Sequence, residues 1–299
     1  MTSGRKAEPM LIAQVTDLHI GFHRDQPGDA NLERFRMVLD RLKNGPDRPD
    51  MLLLTGDIAE HGDAESYAAL AEVLADSPFP IWPIPGNHDN RAALAAAFPQ
   101  VPQDGAFLHY VVDTGTLRIV MLDTLEEGRH GGAFCAARAT WLSAELAVHP
   151  DTATIVALHH PPVALGIAWM DPNPAEPWIA RLGAAMAGHG QVRALICGHV
   201  HRPIAASFAG VPLIVCPSSS AGLALDLSPI DPAKADRRAM LVDDLPGFAL
   251  HRWDGRSLAS HFGYAPDPPA VARYDANFQK LVIHLAEEKR QHDQRSGVV

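Results

Sequence analysis

The chain has 299 residues, of which 47% are hydrophobic and 20% are charged, and its formal net charge is −10. This composition is typical of a globular protein with a substantial core and argues against a disordered chain. The negative charge disfavours a nucleic acid polymer or an anionic membrane as the main partner, because both repel an acidic surface.

The cysteines and the N-terminal segment indicate the compartment. Cys135, Cys197 and Cys216 are widely spaced and form no CxxC pair, which is typical of reduced thiols rather than of a disulfide framework. Only a short apolar run precedes Asp17, without the hydrophobic region or the cleavage site of a signal peptide. No run approaches the ~20 apolar residues that a membrane-spanning helix needs. We therefore expect a soluble, cytoplasmic protein.

Short apolar runs alternate with amphipathic stretches along the chain. The apolar runs have the length and β-branched content of strands buried on both faces. Between the first two runs, Leu32, Phe35 and Leu39 share one helical face. This alternation predicts an α/β fold with a layered core. The predicted strands are 10–15, 51–54, 81–84, 119–122, 154–158, 194–197 and 213–216, and the predicted helices are 31–44, 64–74, 91–98 and 136–148.

Three later segments are less regular. Residues 165–178 and 221–244 are predicted as long loops, which in a compact domain are usually functional or interaction elements. Residues 274–294 are amphipathic for about four turns and then strongly polar, which leaves a docked helix, an oligomer contact and a frayed tail open. We predict a catalytic domain over 1–265 and a helical extension or tail over 266–299.

Asp, Asn and His side chains follow five of the predicted strands, often beside a glycine. In open α/β sheets, ligands gather at the carboxyl ends of the strands, so we expect these side chains to converge on one edge. In chain order the motifs are DLH at 17–19, GD at 56–57, GNHD at 86–89, HH at 159–160 and GHVH at 198–201.

The donor atoms of these motifs indicate a metal site. Carboxylate oxygen, amide oxygen and imidazole nitrogen together suit Mn²⁺, Fe or Zn²⁺, whereas calcium prefers oxygen alone. The donors are too many for one tetrahedral ion, and two ions that share a bridging carboxylate would use them all. Ions ~3.5–4 Å apart can bind a phosphate and generate a hydroxide near neutral pH. The motifs therefore predict a binuclear site for a phosphate ester.

The five motifs in this order resemble the calcineurin-like metallophosphoesterases, and the likeness covers residues 11–202. Each motif alone is common by chance, but all five on predicted strand ends are a specific signal. The resemblance implies a four-layer α-β-β-α sandwich with two divalent metal ions at the C-terminal ends of the strands. The ligands it implies are Asp17, His19 and His201 for the first metal, Asp57 as the bridge, and Asn87, His159 and His199 for the second metal.

The resemblance also implies the roles of the residues around the metals. His88 would face the substrate phosphate, together with Asn87, and would stabilise its charge or protonate the leaving group. Asp89 would lie behind His88 as its supporting partner. For the second histidine of the HH motif, His160, hydrogen-bonding support is more typical than metal ligation.

Two further segments narrow the branch of the family. The segments HHPPVALGIAWMDP and CPSSSAGLALDLSP look like those of class III cyclic-nucleotide phosphodiesterases and bacterial glycerophosphodiesterases. That likeness implies hydrolysis of small phosphodiesters by attack of a metal-bound hydroxide. Three serines at 218–220 stand where some glycerophosphodiesterases carry a histidine, so cyclic nucleotides and glycerophosphodiesters both stay open as substrates.

Two other functions are compatible with the sequence. A phosphomonoesterase of the same fold would use the same metal core, because the surrounding loops determine specificity. A non-catalytic metal-bound scaffold is disfavoured, because no motif residue is missing.

As partners we expect a small phosphodiester and a second copy of the chain, in a homodimer or larger homo-oligomer through 165–178 and 221–244. We expect neither a nucleic acid polymer nor a membrane as a partner.

Overall fold

The computed structural model describes residues 9–22, 28–103 and 105–296 of the chain. The chain divides into two compact units, Met1–Pro266 and Asp267–Val299. The described strands are β1 (Met10–Val15), β2 (Met51–Thr55), β3 (Ile81–Ile84), β4 (Tyr110–Asp113), β5 (Arg118–Leu122), β6 (Thr154–Leu158), β7 (Val192–Cys197), β8 (Ile204–Phe208), β9 (Val211–Val215), β10 (Gly222–Leu223), β11 (Leu241–Val242), β12 (Gly247–Trp253) and β13 (Leu258–Tyr264). The described helices are α1 (Ala30–Asn44), α2 (Ala64–Leu74), α3 (Arg91–Ala97), α4 (Ala136–Val148), α5 (Pro177–Met186) and α6 (Ala276–Ser296).

The first unit contains two large sheets. The first sheet has the order β13-β12-β1-β2-β3, with β1, β2 and β3 parallel and β12 and β13 antiparallel to their neighbours. The second sheet has the order β4-β5-β6-β7-β9-β8, with β5, β6, β7 and β9 parallel and an antiparallel strand at each edge. The polar motifs follow β1, β2 and β3 in one sheet and β6 and β7 in the other.

The apolar runs are buried on both faces, as β5 illustrates. Ile119 and Met121 belong to a core shared with the first sheet and helices α1 to α3, whereas Val120 and Leu122 belong to a core shared with α4 and α5. Successive side chains of a strand point to opposite faces, so β5 separates the two cores. Helices therefore cover the outer side of each sheet, which confirms the predicted α/β fold with layers in the order α-β-β-α.

The elements that the apolar runs did not predict are β4, β8, β10, β11, β12, β13 and α5. In β13 every position is half-buried or exposed, so the strand has no continuous buried apolar run. Helix α5 begins at Pro177, inside a segment predicted as a loop, because a proline at the first helical position lacks only an N–H that would be unpaired there. The predicted loop 221–244 contains a short ribbon in which Leu223 pairs with Leu241.

The second unit contains the long helix α6. The carboxylate of Asp275 caps its first turn by accepting hydrogen bonds from the backbone N–H groups of Asn277 and Phe278. No helix within the described part of the chain combines the length and the apolar character that crossing a membrane requires. Apolar side chains that are about half exposed recur along the helix at Phe278, Leu281, Val282 and Leu285.

Candidate metal and substrate site

The motif residues adopt unusual backbone angles where the strands end. Non-glycine residues seldom adopt positive φ, and such strained positions cluster at functional sites. Five of the motif residues do so here: Asp17 (φ 53°), His19 (49°), Asp57 (49°), His199 (74°) and His201 (52°). The loops that carry them are tied together, since Asp17 N donates to Gly56 O at 3.0 Å and His19 N donates to Asp57 O at 2.9 Å.

Two motif glycines are required by close approach. A Cβ atom on Gly86 would lie 2.2 Å from Asp57 Oδ1, and one on Gly56 would lie 2.3 Å from His159 Nδ1. Both distances are far shorter than any tolerated contact, so only glycine lets the loops come this close. The GD and GNHD motifs therefore bring motifs from both sheets together at the same edge.

Asp17, His19 and His201 form the first cluster of possible metal ligands. The His201 ring donates from Nδ1 to Ala221 O at 2.7 Å, and the His19 ring bonds from Nδ1 to Glu60 Oε2 at 2.6 Å. These bonds leave the two Nε2 atoms as bare acceptors in the neutral rings, only 3.1 Å apart. Two lone pairs so close repel one another unless a proton or a metal ion lies beside them, so the arrangement is compatible with a metal ion.

His159 and His199 belong to the second cluster, which Asp57 links to the first. The Asp57 Oδ2 atom lies 3.2 Å from His159 Nε2 and 3.7 Å from His19 Nε2, between the two groups. Within the described part of the chain, His199 Nδ1 and Asn87 Oδ1 are buried without a hydrogen-bond partner. Buried polar atoms are nearly always paired, so these two atoms also fit a metal ligand set.

The charges of the site are consistent with a cation there. Burial, reinforced by the neighbouring imidazoles, holds the pKa of His199 well below its usual range, so the ring is neutral and able to ligate. Although burial opposes it, Asp57 and Asp17 raise the pKa of His159 to about 9. Burial also opposes ionisation of Asp57, yet His159 and His19 hold the pKa of that carboxyl well below its usual range. The Asp57 carboxylate is therefore ionised, and its negative charge favours a cation at this point of the site.

His88 faces the cavity, whereas Asp89 has a different environment from the predicted one. His88 Nδ1 lies 3.0 Å from the carbonyl oxygen of Glu60 and 3.5 Å from its Oε2 atom. The Asp89 carboxylate accepts hydrogen bonds from the backbone of Gly86, Ile58 and Ala59 and from the Tyr67 hydroxyl, at 2.8–3.1 Å. Asp89 thus ties the GD loop to the GNHD loop, and Glu60 is the partner of the His88 ring.

Glu60, His130 and Thr124 also contribute to the site, although no motif predicted them. His130 Nδ1 lies 3.4 Å from Asn87 Nδ2, and its ring centroid is 4.7 Å from that of His199. Thr124 Oγ1 lies 2.8 Å from Nδ1 of His160, whereas within the described residues Nε2 of His160 has no hydrogen-bond partner and His160 groups with His159 and His199 as a possible metal ligand. Each is a single residue in a loop, so only its position in space associates it with the site.

A cavity of about 230 Å³ opens over the clusters. Its lining includes His19, Asp57, His88, His199 and His201. The large apolar residues of the lining, called the apolar wall below, come largely from the segments predicted as long loops and are Phe22, Trp169, Met170, Leu223 and Leu241. The cavity therefore pairs possible metal ligands with an apolar surface.

Comparison with known proteins identifies the family. The calcineurin-like phosphoesterase profile matches residues 10–203. The chain is 31% identical over 261 residues, covering 85% of this chain and 93% of the relative, to a protein of Arcobacter nitrofigilis named "Probable glycerophosphodiester phosphodiesterase GpdQ". It is 35% identical over 229 residues, covering 73% of this chain and 81% of the relative, to a "Probable cyclic nucleotide phosphodiesterase" of Rhodopseudomonas palustris.

Solved structures share the fold. A dimetal phosphatase from Danio rerio superposes with a TM-score of 0.52 at 12% identity, covering 84% of this chain and 98% of that one. The profile match, the relatives and the fold agree with the motifs at the strand ends. The chain belongs to the calcineurin-like phosphoesterase family.

Proposed function

We propose that the chain is a metal-dependent phosphodiesterase that hydrolyses small phosphodiesters. The observation that supports this most directly is the position of Asp57 between two clusters of ligands, beneath a cavity that His88 faces. The relatives named as glycerophosphodiester and cyclic nucleotide phosphodiesterases support the same reaction class.

We assign two divalent ions of Mn, Fe or Zn to the site. Asp17, His19 and His201 would hold the first ion and Asn87, His159 and His199 the second, with Asp57 shared between them. Bound divalent ions neutralise a phosphate and acidify a water molecule near neutral pH, which is the chemistry that such sites supply.

The chain's own residues orient the substrate and handle the proton of the leaving group. The Glu60 carbonyl accepts from His88 Nδ1, which leaves Nε2 as the ring nitrogen available to the substrate. When the ring carries a proton on both nitrogens, Nε2 can donate a hydrogen bond or that proton to the departing alkoxide oxygen, which leaves the neutral ring with its Nδ1–H on Glu60 O. Asn87, next to it in the chain, would orient a phosphate oxygen, and the apolar wall would exclude water.

The first test is turnover of bis(p-nitrophenyl) phosphate beside p-nitrophenyl phosphate, on metal-stripped protein refilled with Mn²⁺, Zn²⁺ or Fe²⁺. We expect metal to restore turnover, with a preference for the diester. A preference for the monoester would identify a phosphomonoesterase instead. No turnover of either ester by protein with two bound metals would favour a scaffold.

Asp57→Ala is the matched variant for the metal assignment. The substitution removes the carboxylate that both clusters share, so we expect metal content to fall at both positions, measured by elemental analysis after dialysis. Two tightly bound ions in this variant would contradict the bridging role of Asp57.

We further propose that residues 1–265 are the catalytic domain and 266–299 an extension, and that the protein is a cytoplasmic homo-oligomer. Half-exposed apolar side chains on α6 and on the 221–244 segment support self-association. Light scattering of the purified protein measures its mass, and a monomer at micromolar concentration would contradict the oligomer.

A further inference from the structure

Several polar groups of the cavity outside the metal ligands already bond to the protein. Asn31 Nδ2 donates to His19 O at 2.9 Å, and Ser220 Oγ lies 2.9 Å from Ser218 Oγ. The Glu60 Oε2 atom bonds to the His19 ring. Within the described lining, a substrate group that extends beyond the metal ligands therefore meets polar groups that are partly occupied, together with the apolar wall.

The apolar wall offers surface that is open to a ligand. The Trp169 side chain is 38% exposed and the Leu241 side chain is 50% exposed, although both line the cavity. Met170 and Leu223 are buried beside them and complete the wall. An indole ring at the rim of a cavity presents a flat face on which another planar ring can stack.

This wall is held in place by hydrogen bonds to the backbone of its loops. Arg202 Nη1 donates to Leu223 O at 2.5 Å, and Leu223 pairs with Leu241 in the β10–β11 ribbon. The Asp171 carboxylate accepts hydrogen bonds from Leu165 N and Gly166 N at 2.7 and 3.0 Å, which closes the turn that carries Trp169. A preformed wall binds a matching group without the entropic cost of ordering loops.

We infer that the site selects phosphodiesters in which one alcohol carries a planar, largely apolar ring, and that Trp169 is the platform for this ring. The inference rests on the proposed phosphodiesterase function. A ring would gain binding free energy by covering the apolar side chains of Trp169 and Leu241. The hydroxyl groups of a glycerol would instead lose hydrogen bonds to water at this wall. Nucleoside and aryl diesters share this chemistry.

Inhibition by pairs of phosphate or phosphonate ligands, one member with the ring and one without it, tests the inference. In the Mn²⁺-refilled full chain, with bis(p-nitrophenyl) phosphate as the reporter, phenylphosphonate is compared with methylphosphonate, and adenosine 5′-phosphate with ribose 5-phosphate. We expect the ring to tighten the inhibition constant by about tenfold in at least one pair. A gain only in the first pair indicates an aryl diester, and a gain only in the second indicates a nucleoside diester.

Substitutions then locate the platform. Trp169→Ala should abolish the gain from the ring while leaving the ring-free ligands unchanged, and Trp169→Phe should keep most of it. Met37→Ala, which truncates a side chain of α1 that is 41% exposed and absent from the cavity lining, is the control and should change neither. Quenching of tryptophan fluorescence by the preferred ring ligand, lost in Trp169→Phe, gives a readout independent of turnover.

The outcomes separate this inference from the proposed function. Turnover of the diester with no gain from a ring in either pair would overturn the inference and leave the phosphodiesterase standing. A gain that persists unchanged in Trp169→Ala would overturn the role of Trp169. Absence of any metal-dependent diester turnover would overturn the proposed function itself.

Discussion

In the proposed reaction His88 would act through Nε2, because its Nδ1 bonds to the carbonyl oxygen of Glu60. An alkoxide leaves poorly without a proton or strong charge stabilisation, so a group that supplies either matters most for unactivated esters. We predict that His88→Ala keeps its metals but loses at least about 100-fold in kcat on an alkyl diester. The loss should be much smaller on bis(p-nitrophenyl) phosphate, whose leaving group needs no proton.

The measurement combines elemental analysis with steady-state kinetics on both substrates. His61→Ala is a suitable control, because His61 lies in the GD loop, between β2 and α2, and does not line the cavity. Unchanged turnover of the alkyl diester by His88→Ala would refute the proposed role of His88.

Asp89 has a structural environment, so its substitution should affect stability as well as turnover. Its buried carboxylate accepts from three backbone N–H groups and from the Tyr67 hydroxyl. Asp89→Asn replaces one acceptor oxygen by a donor that faces other donors. We predict a loss of about 2–3 kcal/mol in the free energy of unfolding of the metal-free protein, measured with urea.

Tyr67→Phe is the matched variant, because it removes one hydrogen bond to the same carboxylate and should cost only about 1 kcal/mol. If Asp89→Asn unfolded at the same urea concentration as the unsubstituted protein, Asp89 would not be tying the two loops together.

At the scale of elements, a buried polar network joins the strands beneath the metal site. His251 of β12 lies with Nε2 3.0 Å from Gln14 Oε1 and with Nδ1 2.7 Å from Ser260 Oγ. Gln14 of β1 in turn donates to Thr55 Oγ1 of β2 and to Cys197 O of β7. The network therefore connects both sheets directly below the motifs that follow these strands.

This network gives stability a dependence on pH. Burial lowers the pKa of His251 to about 4, from an ordinary value near 6.5. Between these values the unfolded chain binds a proton that the folded chain does not, so stability falls as the pH drops through this range. We predict that His251 alone makes the metal-free protein about 2 kcal/mol less stable at pH 5 than at pH 7.

Urea unfolding at the two pH values measures this loss against His251→Gln, which retains a polar side chain but does not titrate. The variant should lose about 2 kcal/mol less than the unsubstituted protein over the same interval. Equal losses in the two proteins would contradict the role of His251.

Element by element, the apolar runs were sufficient to predict the parallel strands that precede the motifs. Strand β6, for example, is a continuous run of β-branched and apolar residues, because both of its faces are buried. Edge strands such as β13 were not predicted from apolar runs, because their exposed faces tolerate polar residues. Helix α5 was not predicted either, because it begins inside a segment rich in proline and aromatic residues.

For the whole molecule, the division into two compact units leads us to expect that the extension is dispensable for chemistry. The cavity and every described motif residue belong to the first unit. We predict that a chain ending at Pro266 folds, binds metal and keeps kcat/KM for bis(p-nitrophenyl) phosphate within about twofold. A change in mass by light scattering alone would assign α6 to self-association, and loss of metal binding would contradict the proposed domain boundary.

The sequence by itself determined the fold class, the family and the set of possible ligands. Strand periodicity and the motifs DLH, GD, GNHD, HH and GHVH are local patterns, and each stands directly at the end of its strand. The close approach of the loops is also visible in the sequence, because Gly56 and Gly86 stand where the structure has no room for a Cβ atom.

Only the tertiary structure decided what surrounds those ligands. Three parts of the site come from single residues without a sequence pattern. They are Glu60 behind His19, His130 beside Asn87, and Trp169 in the apolar wall. Their importance depends on contacts between positions that are distant along the chain. Asp89 is a further example. Its place in the GNHD motif predicted a role beside His88, whereas its hydrogen bonds show that it joins the GD and GNHD loops. Local patterns encode strands and motif spacing, whereas the folding of separate loops onto one edge creates the environment of the site.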